Sequence, residues 1–533
     1  MSTTQSDATG IDPSYTTALT NLSNLQSNRA ITSLFDTPDI PDNGSKPIID
    51  LNAPAIPEML AWLQRAGHTP STLTASGLRC VHVAGTKGKG SASALVASIL
   101  GQYSPLPSSS SSSSPYKAAG VGVVGLYTSP HVLSVRERIV LDGRPISRAG
   151  LGRYVGEVWG RFTDAARAEA ARKGVVDVAG EADLDGPGTK PFFFRFLTVL
   201  ALHVFVSEGV RDAVVECGIG GEYDSTNVLP AEAVTAAVVT QLGVDHVGML
   251  GDTVEKIAWH KSGIFKPGVK AFTRRLPEAQ SGVMEVLRTR AKEKGATLVE
   301  VTDDEVEQWG GVDGAKLQGP FQKYNMALAV YAAREHLLKT GVKLEGRFGS
   351  DEWSLKDLPA EFVTGLKEAA LRGRCEILED KDGIEWHVDG AHTDDSLSGV
   401  GRWFASRTSK VDVRVLVFNQ QERDPAPLLR ALLVGAQGTG SRPAFTHAIF
   451  TRNEEQKPTA TEERDLSVQT RALETMRDVD SVTEAVAQNA VQPAVEQVRH
   501  IAAQAGGKPC KVLVTGSFHL VGAMLKIIDH AED

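Results

Sequence analysis

Val81-His82-Val83-Ala84-Gly85-Thr86-Lys87-Gly88-Lys89-Gly90-Ser91-Ala92-Ser93 decides how this chain is read: an apolar run breaks into glycines and lysines and then into Ala94-Leu95-Val96-Ala97-Ser98-Ile99-Leu100. The pattern predicts strand, glycine-rich turn and helix. Glycines at 85, 88 and 90 let the backbone wrap an anion, with Thr86 and Lys87 between them. The first helical turn aims its free N–H groups at the same point, and Lys89 adds a mobile positive charge. Ser91 stands where the serine or threonine of a phosphate loop reaches a magnesium ion on the β- and γ-phosphates. The spelling departs from the strict motif, because Val83 occupies the first glycine position and Gly90 separates lysine from serine. It is a phosphate-loop variant or an ordinary glycine-rich βα turn, and the rest of the chain has to decide.

Outward from this stretch, Val121 to Leu126 reads as a second strand, ending in Tyr127-Thr128-Ser129-Pro130-His131. Ala213 to Glu216 and Val234 to Thr240 are further buried strands, and Phe193 to Glu208 is an apolar helix. Strands alternating with helices predict an α/β fold with a mostly parallel sheet covered on both faces. Gln322 to Leu338 has helical spacing, whereas Lys339 to Leu358 fits neither period, which sets a boundary there and gives domains of 1–355 and 356–533. The second domain restarts with Cys375 to Leu378, Trp386 to Asp389, Val413 to Phe418, Ala448 to Thr451 and Lys511 to Thr515, a smaller Rossmann-like α/β sheet. Insertions are expected at about 104–119, around the serine run Ser108 to Ser114, and at 173–190.

With 41% hydrophobic and 23% charged residues the composition is that of an ordinary globular protein, and 533 residues exceed one typical domain. A formal charge of −9 argues against nonspecific binding of nucleic acid or acidic membranes, both of which need a basic face. Cys80, Cys217, Cys375 and Cys510 lie far apart in or beside apolar runs, read as buried thiols of a reducing compartment. No window of about 18 apolar residues exists to span a membrane. Met1 to Ser14 carry Asp7 and Asp12 and no arginine, the wrong composition for a transit peptide. The expectation is a cytoplasmic monomer, with a mitochondrial form open to an upstream start.

Glu216 ends a strand beside the turn Gly218-Ile219-Gly220-Gly221, placed as a divalent-ion ligand, although the glycines also suggest an incomplete dinucleotide fingerprint. His246 follows a buried strand, and Lys261 ends a helix that Asp252 or Thr253 can cap. Taken singly, a structural histidine and a helix-end cation offsetting the dipole explain these two. With Ser129, Glu216 and His246 read at strand tips on one edge of one sheet, a metal site competes with those readings. In the second domain, Arg374 and Asp389 flank strands and are placed to contact phosphates and a ribose hydroxyl or adenine, an assignment that spacing leaves open.

Taken together, these motifs resemble the folylpolyglutamate synthases within the wider family of ATP-dependent amide ligases that includes the Mur ligases. The resemblance rests on Gly85 to Ser91, Thr128-Ser129-Pro130-His131 with Arg136-Glu137-Arg138-Ile139, Gly218 to Asn227, Asp245-His246 with Lys261-Ser262-Gly263-Ile264, Asp389-Gly390-Ala391-His392-Thr393 and Val514 to Gly522. It implies a P-loop-containing Mur-ligase-like ATPase domain followed by a smaller Rossmann-like domain. Ser129, Glu216 and His246 would hold Mg2+, the turn from Gly85 to Ser91 the triphosphate of ATP, and Gln322 and Asn325 would lie near the adenine. Arg374 and Asp389 would contact the nucleotide, Arg136, Arg138 and His392 the substrates, and Lys89, Lys261 and His246 would be catalytic. A monovalent cation such as K+ is also admitted. Relatives carbamylate the lysine at the position of Lys261; Ser262 stands here where alanine or glycine is common, so the modification is open.

The implied chemistry is acyl activation. A carboxylate of a reduced folate attacks the γ-phosphate of ATP, and the amine of L-glutamate displaces phosphate from the acyl phosphate through a tetrahedral intermediate. Such a reaction needs charge neutralisation more than covalent help. The nearest rival is dihydrofolate synthase, the same chemistry on dihydropteroate, disfavoured by Phe193-Phe194-Arg195-Phe196-Leu197-Thr198 and Leu22 to Asn28, which resemble the eukaryotic polyglutamate enzyme. A P-loop switch ATPase leaves Lys261, Arg374 and Asp389 without a role. An inactive binding module would have lost a functional residue type, and none is lost.

Overall fold

The structure, a computed structural model, describes residues 12–25, 52, 54–104, 122–173, 183–409, 411–421, 423–437, 444–457 and 464–529. The expected serine-run insertion and the loose amino terminus fall outside them. Two compact units form: Met1–Pro130, Arg136–Asp313 and Lys323–Ala369 make the first, and His131–Val135, Gly314–Gln322 and Ala370–Asp533 the second. The chain enters the body of the second unit at Ala370, later than the expected 355/356 division, because the helix Ala360–Glu368 packs on the helix Lys89–Gly101 of the first.

The first unit is built on eight strands: β1 Arg79–Ala84, β2 Val124–Tyr127, β3 Ile139–Leu141, β4 Arg144–Pro145, β5 Asp212–Glu216, β6 Val234–Val239, β7 Lys270–Arg274 and β8 Thr297–Val301. Their order is β4-β3-β2-β5-β1-β6-β7-β8. All pairs from β2 to β8 are parallel, and β3 and β4 add an antiparallel edge that the sequence pattern did not predict. β5 and β6 are buried at every position, as continuous apolar runs require when helices cover both faces. The helix Gln322–Lys339 is fixed at the base of the sheet: His336 Nε2 lies 2.8 Å from Asp212 Oδ1, and its Nδ1 2.7 Å from Thr235 Oγ1. That clamp sets the height of the opposite end of the helix, where Asn325 meets the glycine turn.

The second unit has six strands, β9 Glu376–Glu379, β10 Ile384–Val388, β11 Val413–Phe418, β12 His447–Phe450, β13 Glu484–Ala487 and β14 Cys510–Thr515. Their order is β13-β12-β11-β14-β10-β9, with only β9 antiparallel. The helices Asp394–Arg407, Pro425–Gln437 and Ser467–Val479 pack on one face, around Leu397, Phe404, Leu429 and Met476. Val491–Ala503 and Phe518–Ile528 pack on the other, around Trp386, Val495 and Leu525. The chain steps outward from β10 to β13 on one face and returns on the other to insert β14 between β10 and β11, so crevices open beside the carboxyl end of β14.

Candidate active site

The turn after β1 is built so that only glycine fits its two ends. Gly85 has φ 150° and Gly88 φ 86°. A Cβ on Gly85 would lie 1.8 Å from Thr240 Oγ1, and one on Gly88 2.5 Å from Asn325 Oδ1. The chain leaving β6 braces the turn: the N–H groups of Thr86 and Lys87 donate to the Gln241 carbonyl at 2.9 and 3.1 Å, and Thr240 Oγ1 donates to the Lys87 carbonyl at 2.7 Å. From Lys89 the helix begins, with Ser91 buried in its first turn and Lys89 half-buried. Lys261 closes the site. Only 3% exposed, it donates through Nζ to the Gly85 carbonyl at 2.8 Å. Burial first, and the Lys89 cation second, push its pKa down to about 7. Two lysines facing one glycine turn create a local positive potential that a polyanion relieves.

Beside β1, Glu216 ends β5 with its carboxylate buried, and its Oε2 accepts the Ser129 N–H at 3.1 Å. The two residues stand 87 positions apart and meet because β2 and β5 pair in parallel. Arg138 is also buried here; desolvation lowers its pKa, while the Tyr127 hydroxyl, Glu216 and Glu137 oppose that shift. Its guanidinium lies 5.4 Å from the Phe193 ring, so it belongs to this strand-end cluster, whereas Arg136 donates to the Ile146 carbonyl at 3.2 Å. Glu216, the Ser129 hydroxyl and the Ser91 hydroxyl are hard oxygen donors of the kind Mg2+ selects. Among the described residues no cluster of three or more His, Cys, Asp and Glu is arranged for a metal.

His246 departs from the expectation. β6 ends at Val239, and His246 lies beyond it, with φ 51°, at the amino end of the short helix Val247–Leu250. Its imidazole is 41% exposed and 3.8 Å from Asp245 Oδ2. It is therefore not at a strand tip, because the chain uses the residues after Val239 to brace the glycine turn first. Thr253, of the two capping candidates, caps the helix Val254–Lys261 by accepting the Lys256 N–H at 3.3 Å.

In the second unit, Asp389 follows β10, buried, with Oδ1 accepting the Ala391 N–H at 2.9 Å and Oδ2 the Cys375 N–H at 2.8 Å. Burial raises its pKa, and Arg374 is foremost among the groups opposing that rise. Arg374 stacks on Phe518 with its guanidinium carbon 4.3 Å from the ring centroid. Its N–H donors engage no ion pair among the described residues. His392 shares the loop, its Nδ1 3.0 Å from the Gly390 carbonyl and its ring 5.8 Å from Phe518. Gln322 and Asn325 open the helix Gln322–Lys339, both buried, with Asn325 against Gly88 as described above.

Sequence reading missed Thr240, Cys375 and Phe518 as members of these clusters. Thr240 carried a faint signal, a hydroxyl at the end of a mostly apolar strand. Phe518 lay inside a quoted motif, Val514 to Gly522, without a role assigned to it.

Comparison with known proteins adds a separate line of support. The chain is 34% identical to a folylpolyglutamate synthase of Candida albicans over 555 aligned positions, covering 100% of this chain and 99% of that one. It is 35% identical to the folylpolyglutamate synthase of Saccharomyces cerevisiae strain FostersO, covering 98% of this chain and 88% of that one. This chain belongs to the folylpolyglutamate synthase family. Among solved structures, the Mycobacterium tuberculosis folylpolyglutamate synthase complexed with ADP and AMPPCP superposes with a TM-score of 0.63 at 21% identity, covering 90% of this chain and 99% of that one. The apo form of the L. casei folylpolyglutamate synthase gives 0.59 at 22% identity, over 94% and 99%. These likenesses establish the Mur-ligase-like fold of the family in this member. A family model described as "Dihydrofolate synthetase, C-terminal domain" matches residues 375–527, the portion that begins at Cys375 and ends in the last helix.

Proposed function

We propose that the chain is an ATP-dependent ligase that adds L-glutamate to the glutamate tail of folates. What carries the reading is the phosphate turn held by Lys261 and flanked by Lys89 and Glu216, in a chain that aligns from end to end with folylpolyglutamate synthases. ATP binding is supported by the ADP and AMPPCP complexes of a structural relative. The finer chemistry is the γ-carboxyl of a tetrahydrofolate tail attacking the γ-phosphate of ATP, then glutamate displacing phosphate from the acyl phosphate.

In this reading the N–H groups of residues 85–91 and the Lys89 ammonium bind and orient the triphosphate, concentrating positive charge where negative charge grows in the transition state. Lys261 holds the Gly85 carbonyl turned inward, so that the loop presents donors and not an acceptor to the phosphates. Asn325 packs on Gly88 and fixes the turn from the other side. Glu216, Ser129 and His246 would hold Mg2+, with the Ser91 hydroxyl as a further oxygen donor. When bound, the ion neutralises phosphate charge and orients the attacking carboxylate. A monovalent cation such as K+ belongs to the same proposal. Arg374, stacked on Phe518, and the Asp389 carboxylate would take the phosphate and the ribose or base ends of the nucleotide. Arg136, Arg138 and His392 are assigned to the folate and glutamate substrates.

The match of residues 375–527 to a dihydrofolate synthetase domain favours a second reading, addition of the first glutamate to dihydropteroate. The deciding assay gives purified protein Mg-ATP and radiolabelled L-glutamate with either tetrahydrofolate or dihydropteroate, and follows label incorporation and ADP release. Incorporation into tetrahydrofolate, abolished by Glu216→Ala, is expected. Incorporation into dihydropteroate alone moves the assignment to the second reading, and ADP release without label in either acceptor removes both.

A further inference from the structure

Arg374 is presented by a turn with a left-handed residue on either side of it: Gly373 has φ 66° and Cys375 φ 46°. Glycine takes this conformation at no cost, but the side chain of Cys375 crowds its own backbone there, so contacts elsewhere must hold the turn. Three hydrogen bonds do so. The Gly373 N–H donates to Glu376 Oε2 at 2.8 Å, the Gly373 carbonyl accepts the Gly390 N–H at 3.0 Å, and the Cys375 N–H donates to Asp389 Oδ2 at 2.8 Å. Between these fixed points Arg374 lies over Phe518, its guanidinium carbon 4.3 Å from the ring centroid.

Two of the three bonds end on the loop that follows β10, one of them on Asp389, itself assigned to the nucleotide. The third depends on the side chain of Glu376 alone. That side chain has a firm base, because Glu376 opens β9 and is paired with Val388 of β10. Its other oxygen, Oε1, forms an ion pair with Arg372 Nε at 3.2 Å, and Arg372 Nη2 donates to Asp529 Oδ2 at 2.6 Å. Asp529 stands just after the helix Phe518–Ile528, the helix that supplies the ring under Arg374. One carboxylate therefore closes the turn on itself and ties it to that helix, and as a charged acceptor it holds an N–H more strongly than a neutral group does.

We propose that Glu376 is a positioning residue of the nucleotide site: by holding the Gly373 N–H, its carboxylate keeps the turn in the conformation that lays Arg374 on Phe518. Without that acceptor Cys375 relaxes towards negative φ and carries Arg374 off the ring. The proposal rests on the reading of Arg374 as a nucleotide contact, and the experiment separates the two. Full-length Glu376→Ala, Glu376→Met, Glu376→Gln, Arg374→Met and the double variant Arg374→Met/Glu376→Ala are compared with wild type in steady-state kinetics with ATP varied, in ATP binding by equilibrium dialysis, and in thermal midpoint. Loss of this one hydrogen bond is expected to raise KM and Kd for ATP about 5- to 10-fold in Glu376→Ala and Glu376→Met, with kcat within about 2-fold. Glu376→Met keeps the bulk of the side chain without an acceptor, which guards against a folding failure of the alanine variant. Glu376→Gln, whose amide oxygen still accepts the N–H, returns both constants to within about 3-fold of wild type. On the Arg374→Met background Glu376→Ala should cost no further ATP affinity, because the residue it positions is already gone.

If Arg374→Met weakens ATP binding while the alanine and methionine variants at 376 bind as wild type does, Glu376 does not position Arg374. If Glu376→Ala costs as much affinity without Arg374 as with it, or if glutamine fails to rescue and the thermal midpoint falls in step with affinity, the side chain only supports the fold, and the proposal is wrong. If Arg374→Met binds ATP normally, the nucleotide role of Arg374 falls and the proposal falls with it.

Discussion

At Gly88 the backbone conformation and the space around it demand the same residue. Alanine there would have to hold φ 86° with its Cβ 2.5 Å from Asn325 Oδ1. We expect Gly88→Ala to lose about 1–2 kcal/mol of stability and at least about 10-fold in ATP affinity. Adding Asn325→Ala removes the colliding oxygen and leaves only the dihedral strain, so the double variant should regain part of the stability in urea titrations. Strict additivity would show that the two side chains do not meet. Lys261 carries a prediction of opposite character. Its pKa is about 7 when folded against an ordinary 10.5, so the unfolded chain holds the extra proton across that window, and stability rises with pH through it. From pH 7 to 8.5 this lysine should add about 1–2 kcal/mol to the ligand-free protein. Lys266, lowered to about 8 by burial, acts in the same direction at slightly higher pH. Urea denaturation of Lys261→Met at the two pH values should show a shallower rise, retaining only the part due to Lys266; an unaltered rise would mean that Lys261 is not neutralised by its site.

Among elements, the same logic governs how three helices are tied together. His68, just after the helix Ala55–Arg65, places Nε2 2.9 Å from His203 Nδ1 on the helix Phe193–Ser207, and His203 Nε2 lies 2.8 Å from Glu157 Oε2 on the helix Arg148–Arg172. One order of protons satisfies the chain: His68 donates to His203, which donates to Glu157. Burial first, then His203 and Arg161, push the His68 pKa down to about 4, and burial also lowers that of His203. Unfolded histidines take their protons near 6.5, so stability is lost as pH falls from about 6.5 towards 4. His68→Gln keeps a donor for His203 but cannot titrate. Its stability should fall less steeply over that range, by about 1.4 kcal/mol per pH unit, the share of one proton. This tie was invisible in the sequence for a plain reason: its members are 135 and 46 residues apart. Glycine turns, strand-end acids and helix periods were legible because each is written within about ten residues. Ser129 on Glu216, Lys261 on Gly85 and Asn325 on Gly88 were not, because parallel pairing and a helix clamped by His336 bring them together. His246 stands farther along the chain than the strand end for the same reason: its position after an apolar run was local, while the bracing of the glycine turn by Gln241 and Gly243 that comes before it is not.

On the scale of the whole molecule, the residues proposed to bind the nucleotide are divided over two units that each close their own sheet and core. The glycine turn, Lys89 and Glu216 belong to the first, and Arg374, Asp389 and Phe518 to the second. Separate cores predict two calorimetric transitions in the ligand-free protein. A ligand raises the stability of whatever folded structure it holds, by about 2.7 kcal/mol at 100 times its Kd. If the phosphate turn alone grips ATP, Mg-ATP should move the transition of the first unit and leave the other in place. The proposed roles of Arg374 and Asp389 require both transitions to rise. Arg374→Met then supplies the decisive comparison, because it removes the stacked guanidinium without touching the turn after β1. The expected outcome is that Mg-ATP still shifts the first transition of Arg374→Met while its effect on the second shrinks or vanishes. Equal shifts of both transitions in wild type and variant would show that the nucleotide reaches the second unit through other residues, and a second transition unmoved in wild type would take Arg374 and Asp389 out of the nucleotide site.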